Sequence, residues 1–250
     1  MNIVYPASIL HNKKIDECFI EESNEVKKDF HVLNLNAKIA CEETEKLLYR
    51  GWMLSQDEYL SLHNFAEKYN YSLITSMDQY YQSHHMHNWY DRVKEQTPKT
   101  WFFESLVDLK NNIDKTGLTK YFVKDSVKSL TTKNGSVANN KEELFEIIEK
   151  IEKFKGLEGF ISIREVHNFI PESEIRYFSV KGNVFSPLGV NVSDMAKKIA
   201  DKFSELPFIS IDMIKDENGQ EWLVEIGDGQ VSDIKMWDYD NFVKILKFIK

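Results

Sequence analysis

The sequence predicts an α+β fold whose second half is built largely from antiparallel strands. Strand-like and helix-like segments alternate through the first part, and two strand pairs in the second part are joined by short polar turns. No strand runs into a G-x-G-x-x-G or G-x-x-x-x-G-K-[ST] loop, so the doubly wound and P-loop architectures are set aside.

The elements follow in order. Ile3-Val4-Tyr5 is short, apolar and β-branched and reads as the first strand; Leu47-Leu48-Tyr49 reads the same way. Ser55-Gln56-Asp57-Glu58 has the form of a capping box, in which hydroxyl and carboxylate each satisfy an orphan amide of a new helix. That helix is expected to run to about Tyr69, burying Tyr59, Leu62, Phe65 and Ala66 on one face. Tyr71 to Thr75 reads as a strand, a helix follows through Tyr80, Tyr81, Trp89 and Val93, and Pro98 stops it. Lys99 to Phe103 is a further strand.

The texture changes near Gly117, which suggests one division over residues 1–116 and another over 117–250. Strand Tyr121 to Val123 leads into a polar loop, Thr131 to Asn140, and then a helix from Lys141 to Phe154 with Leu144, Ile147, Ile148 and Ile151 on one face. Phe160 to Val166, Ile175 to Val180 and Val184 to Phe185 read as strands, the last two joined at Lys181-Gly182-Asn183. A helix from Asp194 to Phe203 precedes a hairpin, Phe208 to Lys215 with Glu221 to Ile226, and Tyr239 to Phe248 is the final helix.

Composition narrows the function. A net charge of -8 over 250 residues argues against a general nucleic-acid binder, although a few local cations suffice for one triphosphate. Two cysteines, Cys18 and Cys41, make no disulfide framework. The start MNIVYPASIL has no basic leader, and no apolar run approaches the length of a membrane span. The expectation is a cytoplasmic protein acting on neither nucleic acid nor membrane.

Three groups of residues carry chemistry. Asp212 and Glu225 interrupt apolar strands that a short turn should pair, and a hard cation such as Mg²⁺ would relieve the cost of burying both. Gly227-Asp228-Gly229 follows at once, small enough to let backbone approach a ligand. Lys124 ends a strand and Lys128 follows beside the polar loop, an arrangement suited to phosphate. Arg164-Glu165 and Glu174-x-Arg176 lie on consecutive strands, either as the wet face of a sheet or as anion-recognising groups. Apart from these, Arg50-Gly51 puts a guanidinium at a strand end, and His84, His85 and His87 read as a solvated helix turn.

Taken in order, strand–Lys, polar loop, helix, Arg-Glu strand, Glu-x-Arg strand, helix, Asp strand and Glu–Gly-Asp-Gly strand resemble the C-terminal half of ATP-grasp enzymes over residues 118–235. Residues 122–129 and 224–232 look closest to the clade named for one arginine and two lysines, found in bacteria and their phages. The resemblance implies an ATP-grasp-like fold, two α+β elements gripping a nucleotide, preceded by a smaller α/β lobe on the substrate side. It implies ATP and Mg²⁺ as cofactors. Lys124 matches the lysine that contacts the nucleotide, with Lys128 following it, and Arg176 the arginine facing the phosphates. Phe160 to Val166, which includes Arg164, looks like the hinge strand whose backbone meets adenine, and Glu165 or Glu174 would then reach the ribose. Asp212 and Glu225 match the two metal-binding acids; Gly227 stands where the family usually has Asn, so either Asp228 replaces that ligand or one metal is held firmly. Arg176, Lys128 and Arg50 are the expected catalytic residues, Arg50 as a fork for a substrate carboxylate.

The function expected is ATP-dependent carboxylate–amine ligation through an acyl phosphate, ADP-forming, on small-molecule, peptide or protein substrates. The alternative is a non-catalytic ATP-binding module acting in regulation or interaction.

Overall fold

The computed structural model describes residues 1–124, 136–154 and 159–249; Lys128 and the part of the polar loop around Gly135 lie outside them. Contacts divide the chain into two compact units, each gathered from separated stretches. The first comprises Met1–Ser83, Ile175–Met213 and Glu225–Lys250, and the second His84–Glu174 and Ile214–Val224.

The first unit begins with β1 (Asn2–Tyr5), α1 (Ile20–Val26), β2 (His31–Asn34), β3 (Glu45–Tyr49), α2 (Gln56–Lys68), β4 (Tyr71–Leu73) and α3 (Met77–His84). The four strands form a parallel sheet in the order β2-β1-β3-β4. Parallel strands are covered on both faces, which is why β1 is buried at every position. Val4, Leu47 and Tyr49 pack with Tyr59, Leu62 and Ala66 of α2 on one side, while Ile3, Tyr5 and Leu48 join the opposite core. The α2 capping box forms as its sequence requires: Ser55 Oγ accepts from the Glu58 amide and Glu58 accepts from the Ser55 amide.

The second unit holds α4 (Met86–Val93), β5 (Thr100–Phe103), α5 (Leu106–Asn112), β6 (Tyr121–Lys124), β7 (Val137–Ala138), α6 (Lys141–Phe154) and β8 (Ile161–Arg164). Its sheet has the order β5-β8-β6-β7, with antiparallel neighbours. One face, with Phe103, Tyr121, Val123, Ile161 and Ile163, meets Leu109 of α5 and Leu144 and Ile148 of α6. The division expected at 116/117 therefore cuts through this unit, because β5 and α5, from before that point, complete a sheet and core whose other members come after it.

The single helix expected through Tyr80 and Val93 is two, separated at His85, whose backbone is extended. The histidines are not a solvated turn either. His84 is buried, and the His87 ring lies 4.6 Å from Phe160.

The remaining elements are β9 (Phe169–Val180), β10 (Asn183–Phe185), α7 (Asp194–Asp201), β11 (Ile209–Asp216), β12 (Glu221–Asp228) and α8 (Tyr239–Leu246), the strands ordered β10-β9-β11-β12. Lys181 and Gly182 both have positive φ (48° and 84°), which twists the two-residue turn to suit the β9–β10 hairpin. In the first unit Phe208, Trp237 and Phe242 of α8 surround Phe178 in one aromatic core.

Candidate functional site

Within the first unit, Arg176 on β9 and Asp212 on the neighbouring β11 interrupt buried runs and meet. Arg176 donates from Nε to Asp212 Oδ1 (2.7 Å) and from Nη2 to Oδ2 (2.6 Å), a fork engaging both carboxylate oxygens. Its Nη1 donates to the Asp233 carbonyl (2.6 Å). Lys235 brings a second cation, Nζ 2.9 Å from Asp212 Oδ2. Lys235 sits at φ 48°, a left-handed conformation that non-glycine residues seldom adopt, and its amide donates to Asp233 Oδ1.

Electrostatics follow from this geometry. Burial pushes the Asp212 carboxyl up, but hydrogen bonds and charge from Arg176, with Lys235 beside it, outweigh burial and hold it below the usual carboxylate range. Burial opposes the Arg176 charge, and Asp212, followed by the charges of Glu225 and Asp233, more than restores it. Glu225, half-buried on β12, thus belongs to the same electrostatic neighbourhood. Two carboxylates on β11 and β12 are hard oxygen donors of the kind that Mg²⁺ takes.

Asp228 does not join them. Side chains alternate along a strand, so three positions on from Glu225 Asp228 faces the other way. There it accepts from the Gln230 amide (2.8 Å) and the Ser83 hydroxyl (3.3 Å). Burial pushes its carboxyl up to about 7, partly offset by those hydrogen bonds and by the charge of Arg50. Among the described residues no three His, Cys, Asp or Glu groups converge as a metal site. Asp228 as a third metal ligand is corrected accordingly.

Arg50 is corrected too. Its fork faces Glu22, with Nε–Oε1 2.8 Å and Nη2–Oε2 2.7 Å, and its Nη1 donates to the carbonyls of Gly229, Gln230 and Ser232. The Phe242 ring covers the guanidinium, 4.6 Å from Cζ. Arg50 therefore fastens the run after β12 to β3 and α1, and its donors are not turned to a substrate.

In the second unit Lys124 is buried at the end of β6, directly across from Ser162 of β8. Cross-strand partners share a face, and this one is opposite the core. Ser162 Oγ is wholly buried and has no hydrogen-bond partner, the condition of a group that a ligand would satisfy. Arg164, on the same face two residues on, is engaged by its neighbours: Nη1 donates to the Val224 carbonyl (2.9 Å), and Nε and Nη2 to the hydroxyls of Thr100 and Thr97. These bonds tie Arg164 to β5 and β12. Glu165, Val166 and Glu174 lie on the partly exposed stretch from β8 into β9, with Glu165 3.5 Å from His167.

Sequence reasoning missed Glu22, Ser162, Asp233 and Lys235. Lys235 had a local signal, as the one lysine between Gly227 and Trp237. Glu22 had none, since it lies in the polar helix IEESNEV and its partner is 28 residues away.

Residues 73–246 match the model of an ATP-grasp domain, family 3 of the clade named for one arginine and two lysines. Among solved structures, the D-cycloserine synthetase DcsG superposes with a TM-score of 0.64 at 12% identity, covering 100% of both chains. D-alanyl-alanine synthetase A from Vibrio cholerae O1 biovar eltor str. N16961 gives 0.60 at 11%, covering 100% of this chain and 98% of that one. The ATP-grasp ligase PsnB, complexed with a phosphomimetic variant of minimal precursor, Mg and ADP, gives 0.59 at 10%, covering 99% and 97%. No curated protein matches by sequence. At these identities the superpositions show the fold, ATP-grasp, and the family match covers well over half the chain. The chain belongs to family 3 of that ATP-grasp clade.

Proposed function

We propose that this member of the one-arginine, two-lysine clade of ATP-grasp domains is an ADP-forming carboxylate–amine ligase using ATP and Mg²⁺. Its family membership supports the reading, and solved relatives of the same fold include synthetases and a ligase held with Mg and ADP. The observation that carries it is the buried Arg176–Asp212 pair with Lys235 reaching it from the surface and Glu225 alongside, cations and hard oxygen donors gathered in one place.

The reaction balances in two steps. A substrate carboxylate oxygen attacks the γ-phosphorus of ATP, the bond to the β-phosphate oxygen breaks, and ADP leaves an acyl phosphate. The amine nitrogen then attacks the acyl carbon, the carbon–oxygen bond to phosphate breaks, and the nitrogen loses a proton to give an amide. Arg176 and Lys235 are the cations that offset charge on the transferring phosphoryl group. Lys124 contributes a charge-assisted contact to phosphate, and the orphaned Ser162 hydroxyl beside it gains a polar partner from the nucleotide. Asp212 and Glu225 would hold Mg²⁺, which when bound neutralises phosphate charge. No protein nucleophile is required.

Substrates are small-molecule, peptide or protein carboxylates and amines, in the cytoplasm. No described helix is long and apolar enough to cross a membrane.

A second reading, an ATP-binding module without ligation, is favoured by one observation: both Asp212 oxygens are already engaged by cations. ADP formation separates the two. The ligase forms ADP over many turnovers only when carboxylate and amine are both supplied, and Asp212→Asn and Glu225→Gln each abolish that turnover while the fold persists. If Mg-ATP stabilises both variants in thermal melts as strongly as wild type, these carboxylates are not the metal ligands. If Mg-ATP binds and no acceptor pair yields ADP, the module reading stands.

A further inference from the structure

We propose that a cavity of about 280 Å³ beside the run after β12 binds the amine substrate as a cation. Its role as the amine site rests on the ligase reading; its charge preference does not.

The position follows from topology. In the sheet β2-β1-β3-β4, the chain passes from β1 to β2 on one side and continues with β3 on the other. The carboxyl ends of β1 and β3 thus flank the point where strand order reverses, the place where open parallel sheets leave a crevice for ligands. Arg50, Gly51 and Trp52 leave β3 at that point and line the cavity, together with Phe19, Asp233 and Tyr239. Asp233 lends its carbonyl to Arg176, and two residues on Lys235 meets Asp212. The cavity and the Arg176–Asp212 cluster therefore share one stretch of chain as a wall.

The chemistry of the lining selects a cation. Phe19 and Trp52 meet edge to face with centroids 5.0 Å apart, and Trp52 is left 53% exposed. Tyr239 adds a third ring. The charges of Glu22 and Arg50 cancel in their own pair. Of the other charges, Asp233 lines the cavity, Asp16 lies at the indole nitrogen of Trp52 (3.4 Å) and Glu21 at Tyr239, while the nearby cations Arg176 and Lys235 are held on Asp212. Aromatic faces with carboxylates at their edges attract an ammonium or guanidinium and repel a carboxylate.

Cys18 lines the same cavity and is exposed, so its reactivity reports occupancy. The test uses the full chain carrying Cys41→Ser, which leaves Cys18 as its one thiol. The rate of its reaction with 4,4′-dithiodipyridine is followed without ATP. Probes are putrescine, L-lysine and agmatine, with 1,4-butanediol and L-glutamate as neutral and acidic controls. The cationic probes are expected to slow the reaction. Trp52→Ala and Asp233→Asn, both at exposed positions, are each expected to require about tenfold more probe for the same protection. No protection by any cationic probe, or protection by glutamate equal to that by lysine, overturns the proposal. Mg-ATP binding is titrated separately by calorimetry. Protection without Mg-ATP binding sinks the ligase reading and leaves the cation site; Mg-ATP binding without protection sinks the cation site alone.

Discussion

The first unit contains two buried arginine–carboxylate forks, and they differ in what surrounds them. Arg50–Glu22 is closed: three backbone carbonyls take the remaining guanidinium donors, Tyr5 donates to Glu22 (2.8 Å), and Phe242 caps the plane. Arg176–Asp212 is open, with a second cation on the same carboxylate, another acid near the arginine, and one partner, Lys235, 30% exposed. The same ion pair is thus enclosed by backbone carbonyls at Arg50 and bordered mainly by other ionic side chains at Arg176. Residue type alone does not separate the two cases; the second neighbours do.

The largest effect should come from breaking the closed fork. Glu22→Ala leaves Arg50 buried without its counter-ion, and a loss of about 3–5 kcal/mol in urea unfolding is expected. A loss below about 1 kcal/mol would show that Arg50–Glu22 is no fastening and would erase the contrast.

The second unit is probed through ligand. Lys124→Ala should weaken ATP binding by about 1.5–3 kcal/mol, the worth of a charge-assisted contact, as read by calorimetry. Unchanged affinity with an intact melt removes Lys124 from the nucleotide.

Lys235→Ala sharpens the comparison further. Since Arg176 still holds Asp212, folding should change little, while ADP formation falls about tenfold, or about 1.4 kcal/mol in transition-state binding. A melt lowered as far as in Glu22→Ala, with turnover unaffected, would make both forks structural.

The smallest effect concerns Asp228. Its carboxyl titrates near 7 in the folded chain, above the ordinary unfolded value, so the folded state binds more protons and stability falls as pH rises between those values. Asp228→Asn, which keeps an acceptor for the Gln230 amide, should flatten that slope and raise the melting temperature at pH 8 by at least about 2 °C. An unchanged pH profile would show that Asp228 titrates as an ordinary carboxylate.

Local rules carried some elements through to the structure. The α2 capping box and the Lys181-Gly182 turn depend on neighbours within four residues, and both formed as read. α1 and β2 escaped because IEESNEV and HVLN have too few apolar residues to show a period; α1 is settled by packing on α8, far along the chain. The site behaved likewise. Asp212 stood out as a charge within an apolar strand and Arg176 as the arginine of a Glu-x-Arg pair, and they meet. Arg50 stood out at a strand end before glycine, but its partner lies in a helix that no pattern marked.

By itself the sequence determined the strongly patterned strands and helices and which charges are too costly to bury alone, because periodicity and desolvation act on each segment wherever it lies. It also carried the family, since the order of lysine, arginine and acids along the strands survives as a linear pattern. Only the tertiary structure decided which charge meets which, and so separated the Arg50 fastening from the Arg176 cluster and turned Asp228 away from Glu225. Those outcomes rest on strand alternation and on pairings between distant residues, and a charge gains its meaning from the groups that folding places around it.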